Sequence, residues 1–123
     1  LYIFSIIALL LNLISDIATH ETAACWVVLT KDEYYAFVTN TGSNSITSLK
    51  VNRNGSLELK DSVAVATGGA PIDIIISGNG KFAYNVNSMG HSIGQYKILP
   101  NGRLSSLGDL PGLPMAAAGI VAF

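Results

Sequence analysis

An all-β chain built from repeated sheets is what this sequence predicts, on three observations. There is a gapless internal repeat, apolar residues alternate with polar ones at period two, and Asn-Gly dipeptides recur at matching places in both copies. Shifting the chain on itself by 47 positions lays residues 30–57 (TKDEYYAFVTNTGSNSITSLKVNRNGSL) on residues 77–104 (SGNGKFAYNVNSMGHSIGQYKILPNGRL). Eight of the 28 pairs are identical: Ala36/Ala83, Asn40/Asn87, Ser45/Ser92, Ile46/Ile93, Lys50/Lys97, Asn54/Asn101, Gly55/Gly102 and Leu57/Leu104.

The conservative pairs carry the strand pattern. Tyr35/Phe82, Phe37/Tyr84, Leu49/Tyr96 and Val51/Ile98 place aromatic or branched side chains at alternate positions, as a half-buried strand requires. Asn54-Gly55 and Asn101-Gly102 supply the positive φ of a tight hairpin turn, and Asn79-Gly80 is a third such turn. The offset extends upstream, where 25–29 (CWVVL) falls on 72–76 (IDIII), and downstream, where 70–76 falls on 117–123 (AAGIVAF). Each unit therefore reads as four strands. In the second unit they are 72–76, 81–87, 92–98 and 103–107, with turns at 77–80, 88–91 and 99–102. The first strand is apolar throughout, as one buried on both faces should be, and the next two alternate. That is the layout of a propeller blade with its innermost strand most buried.

In this register the organisation is 1–22 as the outer strands of a truncated blade, 23–69 and 70–116 as two blades, and 117–123 as a closing inner strand. The fold class is thus a partial β-propeller of about two and a half four-stranded blades. Residues 1–14 (LYIFSIIALLLNLI) are nearly continuous apolar sequence, too short for the roughly 20 residues of a membrane-spanning helix. No Lys or Arg precedes Lys31, so the positive start of a signal peptide is missing. The segment reads as a degenerate outer hairpin, with Ala8 falling on the turn glycine Gly55 and a helix as the alternative. Thr22-Ala23-Ala24-Cys25 loosely resembles a lipoprotein cleavage box, but the repeat places Cys25 inside a strand.

Composition narrows the partners. Seven Lys plus Arg against eight Asp plus Glu give a net charge of −1, and no two basic residues adjoin, which excludes a phosphate-binding surface for nucleic acid and an electrostatic membrane surface. Mean hydropathy of +0.45 with 12% charged residues is too apolar for disorder. A single cysteine allows no internal disulfide, and two histidines with it are too few for a closed zinc site; neither metal nor cofactor is implied.

The stretch YAFVTNTGSNSITSLKVNRNGSL, with Phe37-Val38-Thr39-Asn40 as a variant of a YVTN-type signature, is followed by TGGAPIDIIISGNGKFAYNVNS. Together they resemble the lactonase-type seven-bladed β-propeller family, described as 6-phosphogluconolactonase-like or 3-carboxymuconate-cyclase-like. The ending LPGLPMAAAGIVAF is similar to that family's C-terminus, where the last strand enters the first blade. The resemblance covers about residues 13–123 and implies a small-molecule lactone as substrate of an intact parent, hydrolysed or formed without a cofactor. At about 2.6 repeats the chain cannot close a ring alone. The missing blades are expected from the rest of a longer chain, or from self-association if the chain is truly truncated.

A lactone hydrolase without metal needs a base for water and a donor set for the developing oxyanion. His20-Glu21, in the loop leading into 25–29, is the best-placed pair for a base and its orienting partner, against the simpler reading of two solvated loop residues. Asp73, near the start of the second inner strand, and His91, in the loop 88–91, are the candidate substrate-binding residues. Asp73 equally suits backbone N–H bonds, and His91, aligned with Asn44, equally suits a turn. The resembled family's His, Glu and Arg cannot be matched residue by residue, and Arg53 and Arg103 lie in or just after outer hairpins. Thr67-Gly68-Gly69-Ala70-Pro71 precedes a strand and reads as a blade connection, not a phosphate loop. Asn54-Gly55-Ser56 is a formal glycosylation sequon. Trp26 and Cys25 read as core filler.

Overall fold

The structure, a computed structural model, describes residues 2–7 and 10–123, with side chains described from Ser15 onward. Ten strands run in chain order: β1 (Tyr2–Ile7), β2 (Leu10–Asp16), β3 (Ala24–Leu29), β4 (Tyr35–Asn40), β5 (Ser45–Val51), β6 (Leu57–Ala66), β7 (Pro71–Ile76), β8 (Phe82–Asn87), β9 (Ser92–Leu99) and β10 (Arg103–Pro111). They form a two-stranded ladder β1-β2 and two four-stranded sheets, β3-β4-β5-β6 and β7-β8-β9-β10, in which every neighbour is antiparallel and consecutive in sequence. This is the all-β, partial-propeller architecture expected from the repeat. The N-terminal strands pair as a hairpin, Ile7 opposite Leu10. Ala8, the residue aligned with Gly55, lies outside the described residues, as do Leu1 and Leu9.

The ladders repeat as the sequence does. Ala24 lies opposite Asn40 and Asn40 opposite Ser45, just as Pro71 lies opposite Asn87 and Asn87 opposite Ser92. Asn101 and Gly102, both at positive φ (64° and 68°), close the outer hairpin inside a short 3-10 turn, Pro100–Gly102. The last strand is longer than expected, because β10 continues through Pro111 past a bulge between Ser106 and Gly108.

Two apolar clusters hold the sheets. Phe37, Ile46, Ile74, Ile76, Ala83, Tyr96 and Leu104 are buried together, with Val28, Ala64, Val65 and Ile98 against them. Ala36, Val38, Leu49 and Leu57 form the second cluster, with Ile17 and Val51 at its margin. Successive residues 36, 37 and 38 thus feed alternate clusters, the period-two geometry of a strand covered on both faces.

The inner strands differ from expectation. β7 is well covered, with Pro71, Ile74 and Ile76 buried, whereas β3 is largely exposed and Trp26 keeps 53% of its surface. Cys25 is likewise exposed, its Sγ 3.5 Å from the carbonyl oxygen of Ile72. Among the described residues neither is buried, in contrast to the core role expected of them. β7 lies between β3 and residues 117–123, while β3 is packed by β7 from one side only among the described residues. Beside β3 lies an apolar groove of about 500 Å³ lined by Val27, Val28, Leu29, Ala36, Val51 and Leu57. Residues 117–123, expected as an inner strand, join no ladder among the described residues. They lie alongside β7, where the N–H of Ile120 donates to Asp73 Oδ2 at 3.0 Å, an interval of 47 residues. Inner strands of adjacent units pack side by side without exchanging a ladder, so a lone inner strand has no partner to define it.

The turns between first and second strands match in chemistry. Thr30 Oγ1 donates to Asp32 Oδ1 at 2.6 Å, which also accepts the N–H of Tyr34 at 3.0 Å. Ser77 Oγ and the N–H of Lys81 donate to Asn79 Oδ1 in the same way. The Thr30 hydroxyl, then the Tyr34 amide, hold the Asp32 carboxyl below its ordinary value. A depressed folded pKa means the turn's contribution is complete above the unfolded value and lost as pH falls through the folded one. Asp32→Asn, the amide present at position 79, is therefore expected to flatten this acid-side loss below about pH 4, read as the denaturant midpoint against pH. A slope equal to that of the parent chain would contradict it.

Candidate functional site at the upper end of the sheets

The ladder registers bring five connections to one end of the two sheets: 17–23, 41–44, 67–70, 88–91 and 112–116. Each inner-strand lead-in is bonded to the turn beside it. The N–H groups of Thr41 and Gly42 donate to the carbonyls of Ala23 and Thr22, that of Thr67 to Asn44, that of Ser88 to Ala70, and those of Gly112 and Leu113 to His91. Between units, Thr41 Oγ1 donates to the carbonyl of Pro71 at 2.8 Å, and the N–H of Ala70 donates to Asn44 Oδ1 at 2.7 Å. Left-handed backbone recurs here, with Asn44 at φ 53° and its counterpart His91 at 50°, and Ala23 at 56° with Ala70 at 45°. A turn that needs positive φ explains why Asn stands in one copy, although His is a costlier choice in the other.

His20 is exposed, with φ 61°. Glu21 is half-buried; its N–H donates to Thr19 Oγ1 at 3.3 Å, and its Oε2 accepts from Ser45 Oγ at 3.4 Å. No hydrogen bond or ion pair joins His20 to Glu21 among the described residues. Asp73 accepts the Ile120 N–H, and His91 is exposed with its carbonyl taking two N–H groups. All four candidates share the upper end, but Glu21 is bonded to β5 and Asp73 to residues 117–123, and among the described residues no hydrogen bond or ion pair joins the four to one another.

Sequence reasoning passed over the polar network beneath these loops. In the first unit Asn40 Nδ2 donates to Ser45 Oγ at 3.1 Å and to Thr47 Oγ1 at 2.8 Å, and Thr47 Oγ1 donates to the carbonyl of Ser62 at 2.7 Å. In the second unit Tyr96 OH donates to Asn85 Oδ1 (2.8 Å), Asn85 Nδ2 to Asn87 Oδ1 (2.6 Å), and Asn87 Nδ2 to Ser92 Oγ (3.1 Å) and Asp109 Oδ2 (3.4 Å). Ser92 Oγ donates to the same carboxylate oxygen at 3.2 Å. Burial, and secondarily the Asp109 charge, push the Tyr96 phenol up, so it stays a donor at any physiological pH. The identities Asn40/Asn87 and Ser45/Ser92 were the available signal.

Charge is divided between the two ends. Lys31 and Lys81 sit in or beside the turns opposite the upper end, and Arg53 and Arg103 flank the outer hairpin turns at that same lower end, where Arg103 Nε donates to the carbonyl of Pro100 at 3.3 Å. Lys50 and Lys97 lie close by, and Lys60 is within β6. The upper loops carry both histidines and no Lys or Arg. No group of three or more His, Cys, Asp or Glu able to hold a metal occurs among the described residues.

Comparison with known proteins agrees with the repeat. A 6-phosphogluconolactonase of Formosa agariphila is 34% identical over 79 residues, an overlap that takes in 61% of this chain but 22% of that protein. A functionally unknown protein from Desulfotomaculum acetoxidans superposes with a TM-score of 0.79 at 23% identity, over 91% of this chain and 35% of its own. A protein from Lactobacillus plantarum superposes with a TM-score of 0.77 at 20% identity, over 95% of this chain and 37% of its own. These two likenesses concern the fold. The chain spans little more than a fifth of the curated relative and about a third of the solved structures. Residues 11–121 match the family described as "Lactonase, 7-bladed beta-propeller", and the chain, with its 47-residue units of four antiparallel strands, belongs to that family.

Proposed function

We propose that the protein to which this chain contributes hydrolyses a small carbohydrate lactone, or forms or opens a muconate lactone, across the upper end of its propeller. The observation that carries this is the family match over residues 11–121, joined to the 34% identity with a 6-phosphogluconolactonase. Hydrolysis needs water to attack the ring carbonyl, a base to take its proton, and a proton for the ring oxygen that leaves. On this chain His20 is the candidate for proton transfer, exposed on an upper loop, with Glu21 beside it in sequence. Asp73 and His91 are candidates for holding substrate hydroxyls. The described upper loops offer two imidazoles, the Glu21 carboxylate and no Lys or Arg, so a phosphate on the substrate would have to be met by other blades.

A second reading, a non-catalytic propeller that binds or scaffolds a partner, is favoured by one observation. Glu21 and Asp73 each commit one carboxylate oxygen to an internal hydrogen bond. The two readings separate in an assay of the whole protein on glucono-δ-lactone and 6-phosphogluconolactone, followed by proton release. The lactonase reading expects His20→Ala to lower kcat by about 10²–10⁴-fold, the usual contribution of a general base. Turnover no faster than spontaneous hydrolysis with both substrates would favour the binding reading.

A further inference from the structure

We infer that Glu21 and Asp109 are one positioning device supplied from two different elements: a carboxylate that caps the buried Asn–Ser pair of each unit and fixes the connecting loop at the upper end. In the second unit the donors run one way, from Tyr96 to Asn85 to Asn87, and the run ends on Asp109 Oδ2, which accepts from Asn87 and from Ser92. Asn87 is wholly buried and Ser92 nearly so, and without that oxygen the Ser92 hydroxyl and one Asn87 N–H would lose their acceptor. In the first unit Ser45, which accepts from Asn40, donates to Glu21 Oε2. The same Asn–Ser pair is capped by a carboxylate in both, delivered in one by the lead-in loop and in the other by the outermost strand.

The two solutions exclude each other within a unit. The repeat places Glu21 opposite Gly68, and a Cβ added at Gly68 would collide with Asp109 Oδ2 and lie 3.0 Å from Asn87 Nδ2. Gly68 leaves room for a carboxylate arriving from β10. Gly94 does the same one layer deeper, since a Cβ there would strike Asn85 Oδ1 and the Tyr96 hydroxyl, whereas its counterpart Thr47 serves Asn40 directly as an acceptor. Val38 stands where the second unit has Asn85, and Asn40 Oδ1 is buried with no hydrogen-bond partner among the described residues, while Asn87 Oδ1 accepts from Asn85. The polar residues thus change together from one unit to the next, and the carboxylate on the Asn–Ser pair is what both keep. Glu21 is on this account a positioning residue for the loop that carries His20.

The test moves the carboxylate in the second unit from its strand position to its loop position. In the whole protein, Asp109→Ala alone is expected to lower the thermal midpoint by roughly 2–8 °C and to speed hydrogen exchange at the Ser88 amide, which is bonded to Ala70. Gly68→Glu alone brings two carboxylates together and is expected to lower it as well. Combined as Gly68→Glu/Asp109→Ala, the two changes are expected to recover at least half of the loss and the slow exchange at Ser88. Gly68→Gln/Asp109→Ala supplies equal bulk without the charge and should recover less. If Asp109→Ala alone does not fold, recovery of a folded protein by Gly68→Glu is the same result. A double variant no more stable than Asp109→Ala, or equal rescue by glutamine, would overturn the assignment.

Discussion

Replacing Phe37 with alanine is expected to remove about 3–5 kcal/mol of stability, the usual cost of emptying a packed phenylalanine site. Phe37 is 0% exposed and belongs to the cluster in which residues of both four-stranded sheets meet, with Ile46 from its own sheet and Ile74, Ile76 and Ala83 from the other. The cavity would open between two sheets, each held rigid by its ladders, so little relaxation can close it. A loss of that size is a large share of the 5–15 kcal/mol typical of a folded domain. The measurement is chemical denaturation, with Phe37→Leu as the smaller change expected to retain most of the stability. A loss under about 1 kcal/mol for alanine would mean the two sheets do not pack as described.

Gly102→Val is expected to cost a comparable amount for two reasons that add. The backbone there has φ +68°, which a β-branched residue adopts only under strain, and a Cβ would press on the Tyr35 ring and lie 3.0 Å from Ser48 Oγ. Overpacking and left-handed backbone each cost on the order of 1–3 kcal/mol. The carbonyl of Gly102 also accepts from Ser48 Oγ at 2.7 Å, a buried bond between the two units. Gly112, at φ +101° with no neighbour within 4 Å of an added Cβ, isolates the backbone part. Gly112→Val should therefore be the milder change, and equal losses from the two variants would show that the contact with Tyr35 and Ser48 contributes nothing.

The sheets were legible because the repeat is written in residues whose roles are local. Alternating aromatic and branched positions with a fixed Asn-Gly turn specify strands and register from neighbours in sequence, and the observed ladders follow them from Tyr35 to Leu104. The partners of inner strands were not legible, since the apolar run CWVVL is the same whether one face is covered or two. Trp26 and Cys25 are exposed because, among the described residues, β7 packs on one side of β3 and no strand covers the other. The polar network was half legible. Asn40/Asn87 and Ser45/Ser92 stand out as identities, but the carboxylate that serves them does not repeat. The offset itself slips in the outer strand: Ile46 lies opposite Val65 and Ile93 opposite Leu110, an interval of 45 residues where the rest of the chain keeps 47. Irregular pairing of β6 beside Thr47 absorbs the two residues. Asp109 therefore has no counterpart that a constant shift could find.

The wiring of the ladders has a kinetic consequence. Among the described residues every strand pair joins neighbours in the chain, so each four-stranded sheet can zip up through short hairpin closures, and contacts between units span the larger separation seen from Cys25 to Ile72 and from Asp73 to Ile120. Folding of such a stack starts in whichever sheet forms first and spreads to the adjacent one, as in other arrays governed by nearest-neighbour coupling. Amides of the strands paired on both sides within a sheet, β4, β5, β8 and β9, should exchange more slowly than those of the inner and outer strands.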